Sequence, residues 1–267
     1  MDRARGVPMT WLERVRARWA TERTTGFPTS SNGASSFHLR WHLGGDLREV
    51  SVTLEVLEPP TVPRLYFWAL QADFAGPGGR HAGGAHLGLQ WHPSHPGSRA
   101  VNWGGYDARG AELHGNESAL PSALHNPNTR DLWWSERTPY RLTIERAPAE
   151  ADRHGLQAWR GTVTDLTNGH ATVVRDLYLP GDRISGAVMW SEVFARCDDP
   201  SVAVRWSDPS ATTLDGATVR PDRLSTNYQT HADGGCANTD SSPDGVGIVQ
   251  RTNTERATPT GAVLPTR

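Results

Sequence analysis

Short segments in which every second residue is apolar recur along most of this chain, and they constrain the fold more than any other feature of the sequence. Phe37–Leu43 alternates strictly, and Val50, Val52, Leu54 and Val56 are separated by polar residues. A period of two places apolar side chains on one face of a β-strand. Further strand-like segments cover residues 65–70, 86–91, 140–145, 156–163, 171–179, 187–194, 202–206, 224–228 and 246–249.

Clusters of Gly, Pro, Asn and Asp separate these segments, and no amphipathic stretch of helical length lies between them. Parallel strands need a long crossover, usually a helix, so the pattern predicts an all-β fold, a two-sheet antiparallel jelly-roll sandwich. The lack of a fixed-period repeat argues against a propeller or a solenoid. We expect the sandwich to cover residues 37–251, after an N-terminal helix and connecting segment (1–36) and before a mobile C-terminal tail (252–267).

The N-terminal region carries a helical pattern. Thr10 and Glu13 form a capping box, and Trp11, Val15 and Trp19 recur at helical spacing. The pattern predicts a short amphipathic helix over about residues 10–23. Such a helix either packs on the main domain or binds a partner or a membrane surface.

The stretch from Asp107 to Asn128 is rich in turn-forming residues and lacks a strand pattern. We expect it to form a long loop over one end of the sheets. A loop of this length inside a compact domain is often functional.

Charge and hydropathy exclude several classes of function. The chain has 27 Lys+Arg, all of them arginine, against 29 Asp+Glu, for a net charge of −2. A sequence-blind nucleic-acid binder needs a basic surface, so no nucleic-acid partner is expected. No stretch of about 18 apolar residues occurs, so no membrane span is expected. Because no apolar segment follows Arg3 and Arg5, the sequence predicts a cytoplasmic protein, or a secreted one whose leader has been removed.

The two cysteines, Cys197 and Cys236, lie in loop-like segments rich in Asp and Gly. They form either one disulfide or two free thiols, and the sequence leaves both open. If they are bonded, Asp198, Asp199 and Asp240 become neighbours, and their oxygens suit Ca²⁺. The spacing does not match an EF-hand loop, so plain polar turns are the alternative, and no other cofactor is expected.

Five short segments follow one another in the middle of the chain: Tyr66–Leu70, Leu87–Trp91, Tyr140–Ile144, Trp159–Asp165 and Ala187–Glu192. Their order resembles the concanavalin A-like lectin and glucanase jelly roll. It is also similar to an uncharacterised bacterial family with that fold. The resemblance covers about residues 37–206 and leaves out most of the region around the cysteines.

This resemblance implies a fold whose concave sheet commonly binds saccharides, and it does not imply catalysis. Glucanases of this fold carry a Glu-x-Asp-x-x-Glu strand that sets two carboxylates on one face. That spacing is absent here, because Glu192 has no carboxylate two or four positions after it. Retaining glycosidases need two carboxyl groups close together, so the departure argues against that chemistry.

Tryptophan is unusually frequent, with 11 residues against five each of Tyr and Phe. An indole packs on the C–H face of a sugar while nearby polar groups bind its hydroxyls. We therefore predict a lectin-like protein that binds a saccharide or another small hydroxylated ligand through exposed indoles. The predicted ligand-binding residues are Trp68, Gln90, Arg99, Asn102, Trp103, Trp134 and Trp190. Trp133 precedes Trp134, and at most one of these neighbours can face the core.

The alternative is an enzyme in the same fold: a polysaccharide lyase, a glycoside hydrolase or a small-molecule isomerase. Glu192 would be its acid or base, helped by His92. A lyase needs one base and a charge neutraliser, so the missing carboxylate pair does not exclude it. No nucleophile elbow or phosphate-binding glycine loop is visible. Of His81, His86, His92 and His95, only the last two can share a metal, and no third ligand is identifiable, so we predict no metal site.

Overall fold

The computed structural model describes residues 22–148 and 155–266, and this part of the chain is almost entirely β-structure. The helix predicted over residues 10–23 falls mainly on residues 1–21, outside the described residues. Every strand pairing is antiparallel, which confirms the predicted all-β, two-sheet sandwich. Among the described residues, no helix has the length and apolarity that crossing a bilayer requires.

Two sheets, each built from strands distant in sequence, make up the sandwich. In pairing order, the first sheet contains β16 (Val263–Pro265), β13 (Arg223–Tyr228), β1 (Ser35–His42), β10 (Arg183–Val193), β3 (Tyr66–Ala75), β4 (His81–Trp91), β5 (Arg99–Asp107) and β6 (Thr129–Asp131). The second sheet contains β14 (Thr239–Pro243), β15 (Ile248–Thr252), β11 (Ala203–Thr213), β2 (Leu47–Glu58), β7 (Pro139–Arg146), β8 (Gln157–Asp165) and β9 (His170–Leu179), with β12 (Thr218–Val219) paired to β11. Short 3₁₀ turns at Pro77–Gly79 and Pro96–Ser98 follow β3 and β4. A backbone pair between Ile184 and Leu47 connects the two sheets.

The core lies between the sheets and is filled by the alternating residues that the sequence pattern predicts. Trp68 and Leu70 of β3 and Val52 of β2 are buried in one continuous apolar cluster. A buried amide, Gln250, adds a polar connection inside this core. Its oxygen accepts hydrogen bonds from Trp206 Nε1 at 2.9 Å and from a serine hydroxyl, and its nitrogen donates to the backbone of β1. Because every bonded partner is itself buried, this amide fixes β15 against both sheets.

The loop over residues 107–128 covers an edge of the sandwich, whereas we expected it to cover an end. The amide of Leu113 donates to the carbonyl of Gly105 on β5 at 2.9 Å. The amide of Tyr178 on β9 donates to the carbonyl of His114 at 2.8 Å, and Asn116 donates to β9 in turn. The loop therefore fills the gap between β5 and β9, where both strands would otherwise leave open hydrogen-bonding groups.

Part of the segment expected to be a mobile C-terminal tail (252–267) forms a short strand. Residues 263–265 form β16, which pairs with β13, and Leu264 is buried. Upstream of this strand, the guanidinium of Arg256 lies 4.0 Å from the ring centre of Tyr228. The polar composition of this segment conceals a few residues that pack firmly, which is why its sequence reads as a tail.

Cys197 and Cys236 form a disulfide, with their Cα atoms 5.6 Å apart, which decides between the two alternatives left open by the sequence. The bond joins the β10–β11 connection to the β13–β14 connection. Both connections hold the segment that precedes β1: Cys197 N donates to Gly26 O at 2.8 Å, and Thr29 N donates to Gly234 O at 3.0 Å. The clamped segment (residues 22–34) is thereby brought to the end of the first sheet.

Candidate functional site

Alternate residues of five neighbouring strands in the first sheet point away from the core, and several predicted site residues are among them. Read across β1, β10, β3, β4 and β5, three consecutive rows are Ser36, Glu192, Phe67, Gln90 and Ala100; His38, Trp190, Ala69, Gly88 and Asn102; and Arg40, Val188, Gln71, His86 and Gly104. We call this surface the outer face. The alternation of these strands thus brings Gln90, Asn102, Trp190 and Glu192 together, as a common site requires.

The outer face carries an apolar cluster of its own, separate from the core. Phe67, Ala69, Val188 and Trp190 are each no more than 7% exposed. The ring centres of Phe67 and Trp190 lie 4.9 Å apart in an edge-to-face contact, and His86 lies 5.7 Å from Trp190. Outer faces of antiparallel sheets are usually polar, so an apolar aromatic cluster in this position is unusual.

Four buried polar atoms on the outer face have no hydrogen-bond partner among the described residues. They are His38 Nδ1, Gln90 Oε1, Asn102 Oδ1 and Trp190 Nε1. Gln90 and Asn102 are only 5% and 9% exposed, and the great majority of such buried groups are bonded in folded proteins. Trp190 and Asn102 stand three strand spacings apart, about 14 Å. Water or a ligand along this row would satisfy these atoms.

Glu192 is a partly buried carboxyl group at one end of the outer face. Its Oε1 accepts a hydrogen bond from Asn32 Nδ2 at 2.8 Å, and Asn32 belongs to the clamped segment before β1. Burial raises the pKa of Glu192, and hydrogen bonds from Asn32 and Ser36 counteract part of that rise. A raised pKa favours the protonated form of this carboxyl group, which is the form that can donate a proton.

A second carboxylate does not accompany Glu192 on the described outer face. Asp73 pairs with Gly186, six residues along β10 from Glu192, which is about 20 Å in an extended strand. Asp131 lies on β6, four strand spacings or about 19 Å away. Glycosidases that work with two carboxyl groups hold them within about 10 Å of each other. The sequence-based argument against that mechanism therefore agrees with the geometry.

Three of the predicted ligand-binding indoles face the interior. Trp68, Trp103 and Trp134 are at most 1% exposed and pack in the core, so the prediction that they are exposed is wrong. Trp190 faces outward but is only 7% exposed, so it is buried as well. The reason is the strand alternation: Trp68 lies between Phe67 and Ala69, and Trp103 follows Asn102, so each takes the opposite face. The expected split of the 133–134 pair is confirmed, because Trp134 is buried while Trp133 is 67% exposed.

Arg99 and His92 also lie away from the outer-face cluster. The guanidinium of Arg99 is 5.4 Å from the ring centre of Trp134, so it packs on a core indole. His92 follows β4 in a turn, 4.7 Å from His95 between ring centres, and burial together with His95 lowers its pKa. No contact joins His92 to Glu192 among the described residues. The structure therefore does not bring together the predicted catalytic pair.

Neither the histidines nor the loop carboxylates gather into a metal centre in the described part of the chain, where no three His, Cys, Asp or Glu side chains group together. Asp198 accepts from Gly26 N and pairs with Arg196. Asp240 accepts from Thr258 N at 2.9 Å. These carboxylates already have protein donors, so calcium near Asp198, Asp199 and Asp240 stays a prediction without further support.

Some residues on or beside the outer face carry little signal in the sequence. The sequence patterns did not single out Phe67, His38 or Asn32, and they marked His86 only as one of four clustered histidines. A signal was present for Phe67, because the apolar run Tyr66–Leu70 has no polar alternation, and such a strand is apolar on both faces. Asn32 carries no sequence signal, since its position depends on the disulfide-linked connections.

The fold and this face define the molecule as an all-β sandwich with a candidate ligand-binding sheet. No protein-family model and no curated protein matches the sequence. The fold is similar to that of Scytalido-glutamic peptidase, solved with a peptide-based transition state analog, with a TM-score of 0.49 and 14% identity over 82% of this chain and 98% of that one. It is also similar to SCP-B, a member of the Eqolisin family of peptidases in complex with the tripeptide Ala-Ile-His, with a TM-score of 0.46, 14% identity and the same coverage. A native glycosidic hydrolase matches with a TM-score of 0.24 and 10% identity over 62% of this chain and 80% of that one. These are distant likenesses of fold alone.

Proposed function

We propose that the outer face binds a saccharide or a similar polyhydroxylated ligand. The observation that carries the proposal is the set of unpaired buried polar atoms beside an aromatic cluster on the outward side of a sheet. A ligand with alternating apolar C–H surface and hydroxyl groups matches that combination. Because the row from Trp190 to Asn102 spans about 14 Å, it has room for more than one sugar ring.

Individual groups take separate parts in this proposal. The oxygens of Gln90 and Asn102 accept hydrogen bonds from ligand hydroxyls, and Trp190 Nε1 donates one. Asn102 is already oriented, because its nitrogen donates to Thr129 Oγ1 at 2.8 Å. The glycine at position 88, between Ala69 and Asn102, leaves that part of the row without a side chain.

The experiment is a glycan array followed by calorimetric titration of the strongest binder. Trp190→Phe keeps an aromatic ring but removes the pyrrole part of the indole together with its N–H, so we expect a roughly tenfold weaker Kd from the lost hydrogen bond and the smaller ring. Trp41→Phe is the matched control, because Trp41 is equally buried and its Nε1 is also unpaired, yet it packs in the core. The proposal is contradicted if the protein binds no glycan of any broad class on the array. It is also contradicted if the two variants lose ligand affinity to the same extent.

A second candidate function is acid–base catalysis by Glu192 on the same ligand, which the raised pKa of this carboxyl specifically favours. A lyase or an isomerase fits better than a two-carboxylate hydrolase, because a single acid is available. Glu192→Gln should abolish turnover in a screen of polysaccharides, sugar isomers and a denatured protein. Glu145→Gln is the control: burial also raises the pKa of Glu145, which lies on β7 in the other sheet. If Glu192→Gln retains turnover, Glu192 is not the catalytic acid or base.

A further inference from the structure

A second, independent surface of the molecule presents an exposed indole beside fixed polar groups. Trp133 is 67% exposed, more than any other large apolar side chain among the described residues. It borders a cleft of about 240 Å³ where the β6–β7 connection crosses the ends of β7, β8 and β9. The cleft is lined by Leu132, Trp133, Tyr140, Val163, Asp165, Asn168, His170 and Thr172. We call it the Trp133 cleft.

We propose that the Trp133 cleft binds a single neutral pyranose ring, which stacks on the indole of Trp133. The proposal shares its ligand class with the outer face but uses none of its residues. It can therefore hold if the outer face binds nothing. An isolated exposed aromatic residue is common on protein surfaces, so the argument depends on how this ring is held and what surrounds it.

One edge of the Trp133 indole packs against the backbone, although the ring is largely exposed. A Cβ atom at position 97 would stand 2.6 Å from Trp133 Cζ3, so the ring packs against the turn where only glycine fits. The adjacent Trp134 is anchored in the core by a hydrogen bond from its Nε1 to the carbonyl of Gln90 at 3.1 Å. The Trp133 indole therefore projects from a connection whose next residue is anchored in the core. A ring with one edge packed on the backbone loses less entropy than a free side chain when a ligand stacks on it.

The polar rim of the cleft is also fixed. The carboxylate of Asp165 accepts hydrogen bonds from the hydroxyl of Thr167 at 2.6 Å, from its amide at 2.8 Å, and from Asn168 Nδ2 at 3.0 Å. These bonds lower the pKa of Asp165, which places a charged carboxylate at the rim of the cleft. His170 and Thr172 continue along β9 opposite Asp165 and Val163.

The charge of this rim selects the kind of sugar. A carboxylate beside the indole repels uronic acids and phosphorylated sugars, while it accepts hydrogen bonds from neutral hydroxyl groups. Stacking on a flat ring also requires a pyranose face with axial C–H groups on one side. The occupant that fits both demands is a neutral pyranose.

Indole-selective NMR tests the proposal on the whole protein. Chains labelled in their tryptophans are titrated with neutral cello-, xylo-, manno- and malto-hexaose, and with tri-galacturonate as the acidic comparison. The Trp133 indole signal is assigned from Trp133→Phe. We expect this signal to shift with at least one neutral oligosaccharide and not with tri-galacturonate, with Trp133→Ala weakening that binding at least tenfold. Trp190→Phe should leave the shift unchanged, which separates this site from the outer face.

A pair of glycine variants tests whether the support of the ring matters. Gly97→Ala forces the indole away from the turn, and we expect loss of the Trp133 shift with the indole itself intact. Gly45→Ala is the matched control, because Gly45 also has a positive φ but meets no atom within 4 Å. The proposal is overturned if no neutral oligosaccharide moves the Trp133 signal. It is equally overturned if that signal moves only with protein concentration, which would make the cleft a contact between copies of the chain.

Discussion

Gly161 on β8 shows how single residues set the shape of the core. A Cβ atom at this position would stand 2.8 Å from the ring of Trp103, which is completely buried. The absence of a side chain on β8 is therefore what allows an indole from the other sheet to fill the centre of the sandwich. The sequence contains no hint of this pairing, because the two residues are distant along the chain.

Replacing this glycine should destabilise the protein without changing its surface. Gly161→Ala overpacks the core against Trp103, and we expect a loss of about 1–3 kcal/mol in the free energy of unfolding. Gly44→Ala is the control, because Gly44 is exposed and a Cβ atom added there would meet no other atom within 4 Å. Urea unfolding monitored by fluorescence checks both variants, and equal midpoints would contradict the packing argument.

Glu192 should make stability depend on pH in a defined direction. Because burial raises its pKa in the folded protein, the protonated form is favoured by folding. The resulting stabilisation is complete below the pKa of the unfolded chain and is lost as the pH rises through the folded pKa. Glu192→Gln removes this dependence, so the variant should gain stability over the wild type between pH 4 and pH 7. Urea midpoints measured at several pH values check this. A difference in midpoint between the variant and the wild type that does not change with pH would contradict the expectation.

At the scale of elements, most strands could be predicted from the period of two, because that pattern reflects one buried face. The segments around Phe37, Val52, Leu142 and Val188 all lie in strands. The alternation does not predict β5, because its two glycines and Asn102 interrupt the pattern. This segment becomes a strand through its pairing with the neighbouring strand.

The site was only half predictable for a related reason. Alternation shows that Trp68 and Phe67 take opposite faces, but not which face is the core when both are apolar. Residue type alone selects Gln90, Asn102, Trp190 and Glu192, which lie on the outer face, and equally Trp68, Trp103 and Trp134, which lie in the core. Which face of such a strand is buried depends on how the two sheets pack, and a single sequence does not contain that information.

The disulfide joins two connections between strands. Its removal should therefore lower the free energy of unfolding by more than the loss of a local contact would. It closes a loop of 39 residues, which corresponds to about 4 kcal/mol of unfolded-state entropy. We expect the double variant Cys197→Ser and Cys236→Ser to lose about 3–4 kcal/mol of unfolding free energy, measured by urea denaturation. Wild type in reducing buffer should match the double variant, and addition of reductant to the variant itself should change nothing. Identical stability in oxidised and reduced wild type would show that the bond is dispensable.

At the scale of the whole molecule, the last residues complete the first sheet. β16 contributes the buried Leu264, while its neighbour Val263 is 60% exposed. Leu264→Ala should lower the unfolding free energy by about 2–3 kcal/mol, since it empties a buried site at the sheet edge. Val263→Ala, one residue away and in the same strand, should stay within about 0.5 kcal/mol of the wild type. Calorimetric unfolding temperatures check the pair, and equal effects would mean that β16 does not pack as described.

The partners of β1 impose an order on biosynthesis. Leu39 pairs with Met189 on one side and Thr226 on the other, so both neighbours of this early strand are made more than half a chain later. At ordinary translation rates that delay is on the order of ten seconds. Throughout it, Phe37, Leu39 and Trp41 emerge from the ribosome with nothing to cover them. The nascent chain is therefore a natural client for a holding chaperone, and the yield of native protein in a cell-free translation should rise when one is supplied.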